Sequence, residues 1–262
     1  MTAIFCQRLL RYEIREYGKE EANMTKFIAH RGSSKEEKQN TAAAFRRASE
    51  SGIYGIETDV RITKDGIFIT FHDKNATRLM GRYKVIEKTD FKALQKLKIY
   101  DKRQRHRVPT FVEYLQNCKS SNKAAVVEIK SSLTDEQTEK LIQIIETENY
   151  LPKTVFISFN KQVLKYIRAR LPDQPIQLLA LKYKQEDLSF LQENKFGIDI
   201  YHRQLTKERI SEYHNRGIDV NCWTVNNKRR AALLQQWGAD FITTDKMTLS
   251  GKNLFSSRSG GE

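Results

Sequence analysis

The sequence predicts an α/β chain closed into a TIM (β/α)8 barrel, and three observations predict it. Short apolar runs alternate with helical patterns along the chain, and they number eight strands once the returning arm of one hairpin is left out. The glycine-rich phosphate loop of the competing open, doubly wound sheet is absent. Residues able to do chemistry (His30, Glu57, Glu128, Ser158 and Trp223) fall at the C-terminal ends of strands, where such barrels carry their active sites.

Residues 1–25 read as a charged extension with Leu9, Leu10 and Ile14 on an apolar face, and Met24 offers a second translational start. The first strand, 26–30, ends in His30-Arg31-Gly32. Asn40-Thr41 then caps a helix whose inner face is Ala44, Phe45 and Ala48, closed by Gly52. The central stretch is 53–73, IYGIETDVRITKDGIFITFHD. Strand side chains alternate faces, so Glu57 and Asp59 point the same way, roughly 7 Å apart. Asp65-Gly66 supplies the positive φ of a tight reversal, which brings His72 back towards Asp59. Residues 74–122 are too long for an ordinary connection. With helices at 91–97 and 110–117, they are expected to form a helical insertion after the second strand's hairpin, beside the active face. Strands at 124–129, 154–158, 176–181, 196–200, 219–225 and 240–244 then alternate with helices at 135–148, 161–170, 187–193, 207–216 and 228–237. Gly217 is the expected C-cap of the helix at 207–216. The organisation is a single barrel domain, 26–250, with a flexible tail at 251–262.

Composition narrows the function. The 262 residues are 39% hydrophobic and 30% charged, which describes a globular chain. No uncharged run reaches the length of a membrane span. Charge enters the first residues too early for a signal peptide, whose apolar centre needs roughly 7–15 residues, so a cytoplasmic protein without stable membrane insertion is expected. Cys6, Cys118 and Cys222 are odd in number and show no C-x-x-C pattern, so reduced thiols are expected. The net charge of +14 favours anionic partners. The basic residues are scattered, however, with short clusters such as Lys102-Arg103-Gln104-Arg105-His106-Arg107, and no nucleic-acid motif accompanies them. A solvated basic surface is expected in preference to a nucleic-acid footprint, attraction of an anionic substrate fits either, and the oligomeric state is left open.

The strand-end residues specify a chemistry. Glu57, Asp59 and Glu128 offer three hard oxygen ligands, which suit one divalent cation, Mg²⁺ or Ca²⁺. His30 and His72 can act as acid and base on either side of a bound phosphodiester. Arg31 can grip a phosphate oxygen through its planar fork, and Lys130, on the same face as Glu128, adds a second positive charge. Phe159 and Trp223 can wall the pocket. His106 and His214 are expected at the surface, and His202 is placed no closer than the rim.

IAHRG, the QNTAAAF helix start, GIETDVRITKDGIFITFHD, VVEIK, ISF, CWTVN and GADFITTD together resemble the glycerophosphodiester phosphodiesterase family, in order and across residues 26–246. The resemblance implies a metal-dependent barrel that hydrolyses glycerophosphodiesters to glycerol 3-phosphate and an alcohol. It implies Glu57, Asp59 and Glu128 as metal ligands, His30 and His72 as the acid–base pair, and Arg31 as a phosphate ligand. The chain departs from the family at Lys38-Gln39-Asn40-Thr41, where Pro-Glu-Asn-Thr is usual, so Gln39 brings no negative charge. Two further readings stay open. One is a phosphodiesterase acting on lysophospholipids, for which Leu79, Met80, Val85, Ile86 and Phe91 could supply an apolar rim. The other is a catalytically inactive barrel that binds glycerophosphodiesters, supported by Gln39.

Overall fold

The computed structural model describes residues 24–101 and 104–246; the expectations for residues 1–23, including Cys6, and for the tail lie outside the described residues. Strands β1 (Lys26–Ala29) and β11 (Phe241–Thr244) lie side by side and parallel, with Lys26 opposite Phe241 and Ala29 opposite Thr244. Between them in sequence run β2 (Gly55–Ile62), β6 (Ala124–Ile129), β7 (Thr154–Ser158), β8 (Ile176–Ala180), β9 (Gly197–Tyr201) and β10 (Val220–Trp223). Parallel ladders join these eight in the ring β1, β11, β10, β9, β8, β7, β6, β2 and back to β1. This closed ring is the expected TIM barrel. Its strands are apolar over most of their length because helices cover one face and barrel side chains fill the other. Ile28, Val126, Ile157 and Leu179 form an apolar layer inside.

The outer helices are α1 (Ala42–Ser49), α4 (Phe111–Ser120), α5 (Asp135–Thr147), α6 (Lys161–Arg170), α7 (Glu186–Glu193), α8 (Lys207–Asn215) and α9 (Lys228–Gln236). Each presents an apolar stripe to the ring, as Leu141, Ile142 and Ile145 do from α5. Side-chain caps fix where several of them begin. Thr41, Asn160, Thr206 and Asn227 accept from the first-turn N–H groups, and Thr110 and Thr134 form capping boxes with Glu113 and Gln137.

The hairpin after β2 turns at Thr63–Gly66, where Gly66 has φ 77° and Thr63 N–H donates to the Ile67 carbonyl at 2.9 Å. β3 (Phe68–Thr70) returns antiparallel to β2. Its outward residue Ile69, together with Phe71, starts a second small core with Ala76, Leu79, Met80, Ile86, Leu94, Ile99 and Val108. That core belongs to α2 (Thr77–Met80), a 3-10 turn at Ile86–Lys88, α3 (Phe91–Gln95) and the ribbon of β4 (Ile99–Tyr100) with β5 (Arg105–His106). α4 packs instead in the main core, through Phe111, Tyr114, Leu115 and Cys118. The Tyr114 hydroxyl donates to the Ile56 carbonyl at 2.6 Å. Cys118 and Cys222 are buried and free. No helix among the described residues is long and apolar enough to cross a membrane.

Candidate active site

The site opens at the C-terminal end of the ring, and the loop after β1 builds one wall. Gly32 has φ +78°, and a Cβ there would stand 2.6 Å from the Ala44 backbone carbon, so the loop can pass α1 only as glycine. That path points the Arg31 N–H at Glu57 Oε2, 2.8 Å away. It also brings Arg31 Nε within 3.1 Å of Asp59 Oδ2, while Nη1 donates to Gln39 Oε1 at 3.2 Å. Asn40, itself at φ 55°, is buried with its amide donating to Asp59 Oδ2 at 2.7 Å and its carbonyl oxygen accepting from Thr58 Oγ1 at 2.8 Å.

Parallel pairing of β2 with β6 sets Asp59 opposite Glu128. One oxygen each from Glu57, Asp59 and Glu128 comes within 4.8 Å of the others. Burial, then repulsion from Asp59 and Glu128, pushes the Glu57 carboxyl well above the usual range. Burial and Asp59 likewise raise Glu128 to about 7. Burial also acts upward on Asp59, but Arg31, then His72 and Lys130, outweigh it and hold the group down at about 2. Glu57 Oε1 and Asp59 Oδ1 are sealed from solvent without a hydrogen-bond partner. Three convergent carboxylates with orphaned oxygens fit a hard divalent cation, which would relieve both the repulsion and the missing contacts. Lys130 Nζ, 2.9 Å from Glu128 Oε1 and 3.7 Å from Asp59 Oδ1, supplies part of that compensation.

Both histidines reach the same pocket. His30 Nδ1 lies 2.7 Å from Asp245 Oδ1, and Asp245 also accepts from Ser34 Oγ and Asn226 Nδ2. His72 Nδ1 lies 2.7 Å from Asp73 Oδ1, and Arg78 grips Asp73 in turn. An ionised carboxylate can only accept, so Nδ1 carries the proton in each ring and Nε2 is left for chemistry. Although burial pushes Asp245 up, the His30 contact and its other donors outweigh that and hold it below the ordinary carboxylate range. Burial lowers His72 below the usual imidazole value, against the pull of Asp59. A cavity of about 130 Å³ is lined by His30, Arg31, Glu57, His72, Glu128, Lys130, Phe159 and Trp223, among others. Phe159 and Trp223 meet edge to face at 6.1 Å, and the indole N–H donates to the Asp199 carbonyl at 3.1 Å.

The model of the glycerophosphoryl diester phosphodiesterase family matches residues 30–249. A glycerophosphodiester phosphodiesterase of Caldanaerobacter subterraneus subsp. tengcongensis is 30% identical over 228 residues, covering 84% of this chain and 94% of its own length. The chain belongs to this family. A glycerophosphodiester phosphodiesterase from Parabacteroides distasonis has the same fold with TM-score 0.78 and 28% identity, covering 89% of this chain and 98% of that one. An Oleispira antarctica phosphodiesterase, solved with sn-glycerol-3-phosphate, superposes with TM-score 0.82 at 23% identity, covering 90% of this chain and 99% of that one. As a glycerophosphoryl diester phosphodiesterase, the protein is a phosphodiester hydrolase on a closed parallel barrel.

For this phosphodiesterase the structure adds residues that the sequence did not single out. Asp245 follows the last strand, and only closure of the ring places it beside His30. Asp73 is the chain neighbour of His72, but its hold on the Nδ1 of that ring needs side-chain geometry. Asn40 was read as a cap, yet its side chain is spent on Asp59 and Thr58. Asp199 enters the cavity wall from an inward position in the middle of a strand. Ser158 stands apart: its hydroxyl donates to the Ile129 carbonyl, and the pocket is lined by its neighbours Ile157 and Phe159. His106 stands on β5 of the insertion, and His214 at the end of α8 bonds Asp240.

Proposed function

We propose that the protein hydrolyses glycerophosphodiesters such as glycerophosphocholine or glycerophosphoethanolamine to glycerol 3-phosphate and an alcohol. The observation that carries this reading is the pair of carboxylate-oriented imidazoles flanking a triad of buried carboxylates in one cavity. Glu57, Asp59 and Glu128 would hold a divalent cation, Mg²⁺ or Ca²⁺, which would supply charge neutralisation at the phosphoryl oxygens. Arg31 and Lys130 bind and orient the phosphate from the same wall. His72, kept neutral by burial, takes the proton from the attacking hydroxyl at Nε2, and His30 delivers a proton to the leaving oxygen while Asp245 stabilises the charged ring. The attacking hydroxyl is that of water or of the substrate's own neighbouring glycerol carbon. Gln39 gives Arg31 Nη1 a neutral acceptor while Asp59 still pairs with Nε, and it takes nothing from the acid–base pair, which supports an active enzyme over a binding barrel. Leu79, Met80 and Ile86 are buried in the insertion's own core, which removes them from the apolar rim that a lysophospholipid substrate would need.

The test is release of glycerol 3-phosphate from the two diesters after chelation, and again with Mg²⁺, Ca²⁺ or Mn²⁺ restored. Release that requires added metal and disappears in Glu57→Ala supports the reading. Release of full size after exhaustive chelation would sink the metal assignment. Turnover of lysophosphatidylcholine in place of the deacylated diesters would move the function to the lipid substrate.

A further inference from the structure

Asp199 is a carboxyl in the cavity wall that neither the acid–base chemistry nor the metal group uses. It stands on β9, four strands from β2 in either direction around the ring, so it faces the Glu57 and Asp59 side from across the barrel. The residue is 2% exposed and lines the cavity, and its Oδ1 is sealed from solvent without a hydrogen-bond partner. Its surroundings show that this isolation is not general inside the ring. On the strands either side of β9 and beyond, Asn221 donates to Gln177 at 3.0 Å and accepts from Thr243 at 3.3 Å, so these polar residues satisfy one another. Asp199 is left out of that chain. Burial, and then Glu128, push its carboxyl well above the ordinary range, which agrees with an environment that offers it no charge partner. A polar group sealed in this way costs the fold stability unless a ligand completes it.

We propose that Asp199 is a specificity-determining residue whose carboxyl hydrogen-bonds the terminal hydroxyl of the substrate's glycerol moiety. The proposal rests on the glycerophosphodiester reading above. In that reading Arg31, Lys130 and a cation held by Glu57, Asp59 and Glu128 would fix the phosphate against one wall, so the part of the glycerol that crosses the cavity is the end farthest from phosphorus. The wall around Asp199 is made by Ile157, Leu179 and Trp223, whose indole N–H is already engaged by the Asp199 carbonyl. Asp199 is thus the side chain placed to meet a polar chain end. A hydroxyl both donates and accepts, so it matches the carboxyl whether or not that group is protonated.

The experiment compares kcat/KM for glycerophosphocholine with that for 2-hydroxypropyl phosphocholine, which keeps the hydroxyl next to the phosphoester and lacks the terminal one. Wild type, Asp199→Val and Asp199→Asn are measured in the metal that best supports turnover, with a thermal melt of each. Wild type should favour glycerophosphocholine by at least about 10-fold, because a site built for a hydroxyl discriminates against its absence. The valine variant should melt no lower than wild type and bring the two substrates to within about twofold. The asparagine variant, whose amide also donates and accepts, should keep most of the preference. A preference unchanged in folded Asp199→Val, or equal turnover of both diesters by wild type, would overturn the role of Asp199 alone. Failure of wild type to cleave either diester with any metal would overturn the substrate reading and this proposal together. Should the valine variant not fold, Asp199→Ala provides the same comparison.

Discussion

His30 and His72 reach the same orientation by different means. Each donates Nδ1–H to an aspartate, but Asp73 is its histidine's chain neighbour whereas Asp245 comes from the far end of the chain. Replacing either histidine with Asn should lower kcat by about 10²–10⁴-fold, the scale of a lost general acid or base. The sign of the pH dependence follows from burial. His72 is pushed below the usual imidazole value, and a bound cation nearby would push it further in the same direction. As the proposed base it must be neutral, so the acid side of kcat/KM should hold its plateau as pH falls past about 6.5 and decline only below it. An acid-side limb, where activity falls as pH is lowered, centred above about 6.5 would assign the base elsewhere. Gly32 makes a different kind of prediction. Gly32→Ala combines a left-handed backbone with a Cβ 2.6 Å from the Ala44 backbone, so it should cost at least about 2 kcal/mol. Thermal unfolding would then show a drop in Tm of roughly 4–8 °C. The Glu57, Asp59 and His72 constellation was legible from strand alternation and one Asp-Gly turn, because both are local rules. Asp245 was not legible, since nothing local couples residue 245 to residue 30.

At the scale of elements, the insertion and the hairpin that leads to His72 are joined by Arg61. Its Nε and Nη2 both donate to the His72 carbonyl, at 3.0 and 2.9 Å, and its Nη1 pairs with Glu87 of the 3-10 turn at 2.6 Å. Ser131, just past β6, donates to the same Glu87 oxygen at 2.8 Å. One guanidinium therefore fixes the backbone of His72, the proposed acid–base residue, to β2 and to the insertion together. Arg61→Gln should lower kcat by about 10- to 100-fold through misplacement of the imidazole, with a much smaller change in KM. Steady-state kinetics with a near-UV spectrum to verify packing would check this, and an equal rise in KM would point to lost binding instead. The sequence showed that residues beyond His72 break the strand and helix alternation. Its apolar residues could not be divided between a rim and an internal core, because Leu79, Met80 and Ile86 have the same composition in either setting. Only their contacts with Ile69 and Phe71 decide it.

At the scale of the whole molecule, the eight-stranded ring was legible because alternating strands and helices have few ways to close, and strand-end polar residues mark the open face. Side chains that cross the barrel, such as Asp199, were not, since an inward polar residue in mid-strand looks like any other in the sequence. Charge is also a whole-molecule property. The segment 74–107 carries twelve Lys and Arg against three Asp and Glu, within a chain of net charge +14. Long-range attraction should therefore speed capture of diesters with net negative charge, and salt should remove the effect as the screening length falls from about 10 Å at 0.1 M to about 3 Å at 1 M. The expected result is a falling kcat/KM for glycerophosphoinositol and a nearly constant one for zwitterionic glycerophosphocholine. Parallel declines for both would show that salt acts on the fold or the metal. The seam between β1 and β11 bears, finally, on how the protein is made. His30 is synthesised 215 residues before the aspartate that orients it, and its strand waits throughout for the neighbour that seals the ring. A chain that stops before residue 245 therefore holds its carboxylates and both imidazoles with His30 lacking the partner that the closed ring gives it.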